Sequence, residues 1–310
     1  MATTQTRTRV VAHSGAQAIQ QGRNAETYTT GAGAPFNMTV DTHEMDEQQF
    51  LFLQQLLTDR TGIRFRDQAH LCRKLDSRLR ALNLDSYARY IELIKKKSDE
   101  IPHAIEAVTN NETFFFRDFI HLIALEKYLD TCLNTARVFR IWSAASSSGE
   151  EVYSIAMTVH AWAAARRIAP HNIRITGSDI DRSVLKRASD GRYHRCQIER
   201  TPKDYKAFLL RYLEQHSDDY FNVKPHIKAM VRFKCFNLTK PLPFSRELDV
   251  IFCRNVFLYF NQALRNEIFT SLHQALRPGG LLIMGLCEPM PPDLPLGFTY
   301  VGNSMYTKTG

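Results

Sequence analysis

Apolar residues recur along this chain with two different periods, and the change from one to the other falls near residue 104. Before it the period is helical. Phe50, Leu53, Leu56 and Leu57 make one stripe, Leu71, Leu75, Leu79 and Leu82 a second, and Tyr87, Tyr90, Ile91 and Ile94 a third. Turns at Thr61-Gly62 and Asn83-Leu84-Asp85 separate them, so residues 46–100 are expected to form a small all-α domain. Lys95-Lys96-Lys97-Ser98-Asp99-Glu100 has the composition of a solvated helix end that opens a linker.

Beyond residue 104 strands and helices alternate. The pattern predicts strands over 138–142, 173–177, 248–253 and 281–285, and helices over 150–166, 182–188 and 263–276. Arg277-Pro278-Gly279-Gly280 stops the last helix before its strand, and closing strands fill 298–308. Such alternation with short connections defines an α/β domain over 101–310, with a mostly parallel sheet covered on both faces. Residues 192–236 break the rhythm with two helical pieces and short strand-like runs such as Met230-Val231-Arg232-Phe233, which marks an insertion. Residues 1–45, rich in Thr, Ala, Gly and Gln, carry no apolar period and are expected to be a disordered tail.

Composition narrows the class only a little. No apolar run approaches the roughly 18 residues of a membrane span. The N-terminus lacks the basic-then-apolar order of a secretory signal, which gives the expectation of a cytoplasmic protein. Six scattered cysteines without a Cys-x-x-Cys pair speak for reduced thiols and against a metal site. Forty Lys plus Arg against 32 Asp plus Glu, a formal charge of +8, admit an anionic partner without choosing one.

The candidate chemistry sits at predicted strand ends, where open α/β sheets bind ligands. Ser143-Ala144-Ala145-Ser146-Ser147-Ser148-Gly149-Glu150-Glu151 leads from a strand into a helix. Its small side chains let a ligand approach the backbone, while one glycine and two acids disfavour a phosphate and suit a cationic or hydroxylated group. An ordinary capped helix would read the same way. Asp179 closes the next strand where a carboxylate takes ribose hydroxyls, and Asp181 is placed to cap the following helix. Asn237-Leu238 offers an amide suited to an adenine edge, or simply a turn residue. Cys253-Arg254-Asn255-Val256-Phe257-Leu258-Tyr259-Phe260 follows a buried strand. It lacks the Asn/Asp-Pro-Pro-Tyr element of enzymes that methylate base amino groups. Upstream, Asn111-Glu112-Thr113-Phe114-Phe115-Phe116-Arg117 fences three phenylalanines with an amide, a hydroxyl and a cation. It is either a pocket wall or a helix start capped by Thr113.

A ribose, an adenine and a charged amino-acid tail without phosphates describe S-adenosylmethionine or its product S-adenosylhomocysteine. On Asn111-x-Thr113-x-Phe115-Phe116-Arg117, Trp142-Ser143-Ala144-Ala145 with Ser148-Gly149-Glu150-Glu151 and Tyr153-Ser154-Ile155-Ala156, Ser178-Asp179-Ile180-Asp181, and Ile251-Phe252-Cys253-Arg254-Asn255-Val256 with Tyr259-Phe260, the chain resembles the chemotaxis receptor glutamate O-methyltransferases, the CheR family. The resemblance runs from about residue 46 to the C-terminus.

It implies a class I S-adenosylmethionine-dependent methyltransferase fold, Rossmann-like, with an N-terminal all-α domain and an inserted β-subdomain at 192–236. It implies cofactor contacts at Asn111, Thr113, Arg117, Glu151, Asp179, Asn237, Leu238, Arg254 and Asn255, with Arg117 anchoring either the cofactor's carboxylate or the incoming glutamate and Tyr259 orienting the attacking oxygen. It implies methylation of glutamates in chemoreceptor cytoplasmic helices, docked through Arg73, Lys74, Arg78 and Arg80, which Arg64 and Arg66 precede. In some members the β-subdomain also grips a receptor C-terminal peptide. A monomer with no nucleic-acid partner is expected. A non-catalytic receptor adaptor and a nucleic-acid methyltransferase are the competing functions.

Overall fold

The computed structural model describes residues 43–133, 137–244, 247–291, 294 and 296–309. The expected tail lies outside them up to residue 42, while Met45 is already part of a core.

Four helices form the N-terminal layer: α1 (Glu47–Thr61), α2 (Gln68–Ala81), α3 (Tyr87–Lys96) and α4 (Glu100–Val108). Asp46 caps α1 in a reciprocal box with Gln49, and Asp67 caps α2. All three predicted stripes turn inward, with Leu53, Leu57, Leu71, Leu75, Leu79, Tyr87 and Tyr90 fully buried. The layer does not stop at the lysine run. Ala104 and Val108 of α4 complete the same core, so 95–100 is the end of α3, a tight turn at 97–99 and the start of α4, and not the start of a linker.

One ion pair ties α4 into the layer. Arg78 meets Glu100 with Nη2 to Oε2 at 2.6 Å and Nε to Oε1 at 2.7 Å, and the Tyr90 hydroxyl donates to Oε1 at 3.0 Å. Arg78 thus helps to hold the layer together, its Nε and Nη2 engaged by the buried Glu100 carboxylate. Lys74 reaches towards the Thr109 carbonyl at 3.4 Å, whereas Arg73, Arg80, Arg64 and Arg66 are exposed.

After α5 (Ile120–Cys132) the alternating part begins with β1 (Phe139–Ala144), α6 (Glu150–Ala165), β2 (Ile173–Asp179) and α7 (Arg182–Asp190). A small antiparallel sheet follows, made of β3 (Arg192–His194), β4 (Leu213–Gln215) and β5 (Tyr220–Val223) in the order β3-β5-β4. It is accompanied by the short helices α8 (Arg195–Glu199), α9 (Lys203–Leu210) and α10 (Pro225–Lys228). The main sheet resumes with β6 (Val231–Cys235) and β7 (Leu248–Cys253), then α11 (Gln262–Ala275), β8 (Leu276–Met284), β9 (Phe298–Gly302) and β10 (Met305–Lys308). Its order is β6-β2-β1-β7-β8-β10-β9, parallel from β6 to β8 and antiparallel through β10 and β9.

Two boundaries differ from the expected ones. Val231 pairs with Ile175, so the run read as part of the insertion is an edge strand of the main sheet. Leu276 already pairs with Leu248, so Arg277-Pro278-Gly279-Gly280 is an irregularity within β8 rather than its prelude. Phe139, Ile141, Ile175, Val250, Phe252 and Ile283 face α5 and α6, while Trp142, Ile251, Leu282 and Met284 face α11.

The Arg78–Glu100 pair gives a pH-dependent prediction. Burial raises the Glu100 carboxyl pKa, but the bonds from Arg78 and Tyr90 outweigh it and the net shift is downward. A lowered carboxyl contributes stability above its unfolded value of about 4.3 and loses it as pH falls through the folded value. Arg78→Met is expected to cost about 3 kcal/mol in urea unfolding at neutral pH by leaving the carboxylate unpaired. The deficit should narrow below about pH 4 as Glu100 protonates.

Candidate active site

At the carboxyl ends of β1, β2 and β7 the chain opens a pocket, the position where parallel sheets bind ligands. Its floor is the loop from β1 to α6. Ala145 (φ +56°), Ser147 (φ +49°) and Gly149 (φ +93°) all take left-handed backbone, unusual for two L-residues so close together. The Ser146 amide donates to the Ser178 carbonyl and the Ser147 amide to Asp179 Oδ2, both at 2.8 Å. At Gly149 a Cβ would come 2.8 Å from Ala188 Cβ, so α7 packs where a side chain would stand.

The two acids opening α6 divide. Glu150 is buried against Ser148 Oγ (2.7 Å) and Gln197 Nε2 (2.9 Å), away from the ligand space, and burial pushes its carboxyl up. Glu151 lines the pocket, accepting from Ser143 Oγ at 2.7 Å and from Arg254 Nη1 at 2.8 Å.

Arg254, 6% exposed, is the centre of the polar wall. Its Nη2 also bonds Asp118 Oδ2 at 2.5 Å and the Arg117 carbonyl at 2.9 Å, while its buried Nε has no acceptor. Two carboxylates on one guanidinium leave the cluster one negative charge in surplus, which suits a cationic ligand. Asp179, 6% exposed, takes the Ser147 and Asp181 amides (2.8 and 3.0 Å). Burial raises its carboxyl pKa, and it has no cation partner among the described residues. Each of its oxygens retains acceptor capacity for a diol.

The Asn111–Arg117 segment is a pocket wall. Thr113 caps nothing, because α5 starts only at Ile120 after a turn with Phe116 (φ +58°) and Asp118 (φ +50°) in left-handed backbone. The Phe116 amide donates to Ser154 Oγ at 2.9 Å. Phe115 packs edge-on against Tyr193 and Phe116 stacks on Tyr205, both buried behind the wall. Phe114 lies between the guanidiniums of Arg117 and Arg200. Arg117 donates to the Glu112 carbonyl at 3.1 Å and, among the described residues, meets no carboxylate.

Asn111 lines the pocket, but its amide is spent bracing the α7 cap, donating to Asp181 Oδ2 at 2.6 Å. Asp181 caps α7 as expected, taking the Ser183 and Val184 amides. Asn237 donates to the Arg60 carbonyl at 2.7 Å and accepts from the Thr239 amide, with Leu238 beside it in the wall.

Several neighbours escaped the sequence reading. Thr61 and Ile63, from the turn after α1, complete the wall. Asn110 Nδ2 donates to the Tyr259 hydroxyl at 2.8 Å. Glu288, buried past the end of β8, accepts the Asn255 amide at 2.5 Å and the Leu258 amide at 3.1 Å. It thereby clamps the turn that holds Asn255 (φ +58°) and Tyr259. A carboxylate just beyond a parallel strand is the positional signal that could have found it. A Cβ at Gly285 would come 2.6 Å from Glu288 Oε2, so the clamp needs glycine there.

The residues fit a ligand with a ribose and a positive centre: Asp179 has acceptor capacity for hydroxyls, the Arg254 cluster favours a cation, and among the described residues no glycine-rich phosphate cradle lines the pocket. A mostly parallel sheet with this site defines an S-adenosylmethionine-dependent methyltransferase. The comparisons agree. Residues 48–109 match the CheR methyltransferase all-alpha domain and residues 111–306 the CheR methyltransferase SAM binding domain. The chain belongs to the CheR methyltransferase family, and its cofactor is S-adenosylmethionine. It is 34% identical to the chemotaxis protein methyltransferase of Escherichia coli over 84% of this chain and 91% of that one. It is 33% identical to that of Borreliella burgdorferi, over 82% and 91%. With chemotaxis protein methyltransferase 2 of Pseudomonas aeruginosa the identity is 35%, over 69% and 76%.

Glu288→Gln should loosen the Asn255–Tyr259 turn, since an amide offers one acceptor where two backbone N–H groups need partners. Methyl transfer is expected to fall about tenfold, the worth of one hydrogen bond to a charged group. Steady-state rates with purified variant and wild type check this.

Proposed function

We propose that this methyltransferase esterifies the side-chain carboxylate of glutamates in the cytoplasmic helices of chemoreceptors, and that it acts as a cytoplasmic monomer. The observation that carries the reading is the pairing of Tyr259 with Asn110 beside an Arg117 that meets no carboxylate. Because Asn110 donates to the phenol oxygen, Tyr259 keeps its own proton to offer an incoming carboxylate. Arg117 supplies the matching cation.

The bound cofactor supplies the methyl group from its sulfonium centre. Asp179 takes the ribose hydroxyls, Asn237 and Leu238 flank the adenine, and Glu151, Arg254 and Asn255 fix the amino-acid tail. Asn111 and Thr113 shape the wall beside it. A glutamate with pKa near ~4.3 is ionised at neutral pH, so no general base is needed. Alignment of oxygen, carbon and sulfur is then the main task.

The acidic receptor bundle is taken to approach the exposed Arg73 and Arg80 of α2, with Arg64 and Arg66 alongside. Lys74 and Arg78 support them from within the layer. Steering of this kind weakens with salt. The free edges of the small β3-β5-β4 sheet offer strand addition to a receptor C-terminal peptide.

Labelled cofactor incubated with receptor membranes, RNA or DNA discriminates the alternatives. Alkali-released methanol from the receptor sample supports the ester; stable label on nucleic acid, or no label at all, sinks it. Arg117→Ala and Tyr259→Phe should each lower transfer at least about tenfold, the loss expected from removing one charge-assisted hydrogen bond, with the thermal melt unchanged. Arg73→Glu/Arg80→Glu should slow receptor methylation while calorimetry finds the same cofactor affinity.

A further inference from the structure

Among the described residues, one half-face of the sheet carries no helix. On the side away from α5 and α6, α11 covers β7 and β8, but among the described residues the connection from β6 to β7 contains no helix. The sequence of the uncovered strands answers this. β7 reads Leu-Asp-Val-Ile-Phe-Cys and is buried throughout, as a doubly covered parallel strand should be. β2 begins Ile-Arg-Ile-Thr and β6 reads Val-Arg-Phe-Lys, alternating as strands do when one face meets water. The residues of this face line up across the strands: Arg140 beside Arg174, Thr176 beside Arg232, and the buried Ser178 beside Lys234. Neighbouring strands are about 4.8 Å apart, so the cations form one contiguous field.

These charges are not consumed internally. Arg140 has Glu247 at 3.9 Å, itself half exposed. Among the described residues, Arg174 bonds the His171 and Ile173 carbonyls and meets no carboxylate. Arg232 and Lys234 are exposed and, among the described residues, meet no carboxylate. Trp142 and Phe244 form an apolar border towards α11. The field extends back to Pro170 and Met230 at the amino ends of the strands, whereas the cofactor pocket lies at their carboxyl ends.

We propose that this half-face docks an acidic polypeptide segment of a partner protein, laid across β1, β2 and β6, as a second contact separate from the methylation site and from α2. Charge complementarity selects the occupant. The chain's own N-terminal residues do not fit, because Arg7, Arg9 and Arg23 outnumber Glu26 and Asp41. A single-stranded nucleic acid is disfavoured by the floor: Trp142 is 1% exposed and offers no ring face on which bases could stack. The flat pleated surface, with cations at alternate positions on neighbouring strands, matches carboxylates on an extended or helical peptide.

The test uses the full chain and a fluorescein-labelled oligoglutamate peptide, followed by anisotropy across a salt series. Wild type should bind with an affinity that falls as salt rises. Arg232→Glu/Lys234→Glu should weaken binding at least about tenfold, roughly the loss of two charge contacts, with cofactor affinity and the melt unchanged. Arg174→Ser, away from the edge strand, should weaken it less but measurably. Arg73→Glu/Arg80→Glu removes only the contribution of α2, so the β6 reversal added to it should cause the same further loss as in wild type. The proposal is overturned if β6 reversal leaves the affinity within twofold of wild type, or if the α2 reversal abolishes it. It is equally overturned if a single-stranded oligonucleotide or phosphatidylglycerol vesicles bind this face more tightly than the peptide.

Discussion

Burying the Arg254 guanidinium is the constraint on which the pocket's architecture turns. A charge taken out of water is tolerated only where its hydrogen-bonding groups meet acceptors. The acceptors here come from separate stretches of chain: Glu151 from the first turn of α6, and Asp118 with the Arg117 carbonyl from the turn before α5. Ser143, at the end of β1, steadies Glu151 in turn. Three elements distant in sequence are thus held at one point, and the pocket is the space between them. The same cluster sets the electrostatic character of the wall, because its carboxylates exceed its guanidinium by one.

Backbone strain follows the same geography. Ala145, Ser147, Phe116, Asp118 and Asn255 adopt left-handed backbone within segments that border the pocket. Each conformation costs free energy and persists where the surroundings over-determine it. The determinants are visible: the Ser147 amide is tied to Asp179, the Phe116 amide to Ser154 Oγ, and the Asn255 amide to Glu288. The site is therefore organised before ligand arrives, which is what an alignment-driven reaction asks of a protein.

Periodicity made the helical stripes and the alternating sheet domain legible, because amphipathic spacing reports which face is buried. It failed where charge and backbone geometry decide. Glu100 looked like the polar end of a lysine run, yet it is the buried partner of Arg78 and brings α4 into the helical layer. Val231–Phe233 looked like part of an insertion, since short exposed alternation reads alike in a small sheet and at the edge of a large one. In the site, Asp179 and Glu151 were legible from strand-end position. Asn110 and Glu288 were not, because they act on Tyr259 and its turn across about 149 and 30 residues of sequence. Strand-end position could have drawn attention to Glu288, but nothing local records which turn it holds, and Asn110 carries no such signal.

The turn after α1 deserves a last consequence. At Gly62 a Cβ would come 2.4 Å from Leu264 of α11, and its neighbours Thr61 and Ile63 stand in the pocket wall. Asn237 holds the Arg60 carbonyl and the Arg64 amide donates to the Tyr259 carbonyl, so the helical layer is bolted to the rim. The wall of the cofactor space and the basic surface of α2 are then parts of one body. A macromolecule that shifts this layer on contact alters the energy of the occupied pocket, and by thermodynamic reciprocity an occupied pocket alters that contact to the same degree. For a protein that docks there, its affinity and that for the methyl donor would be two readings of a single linkage.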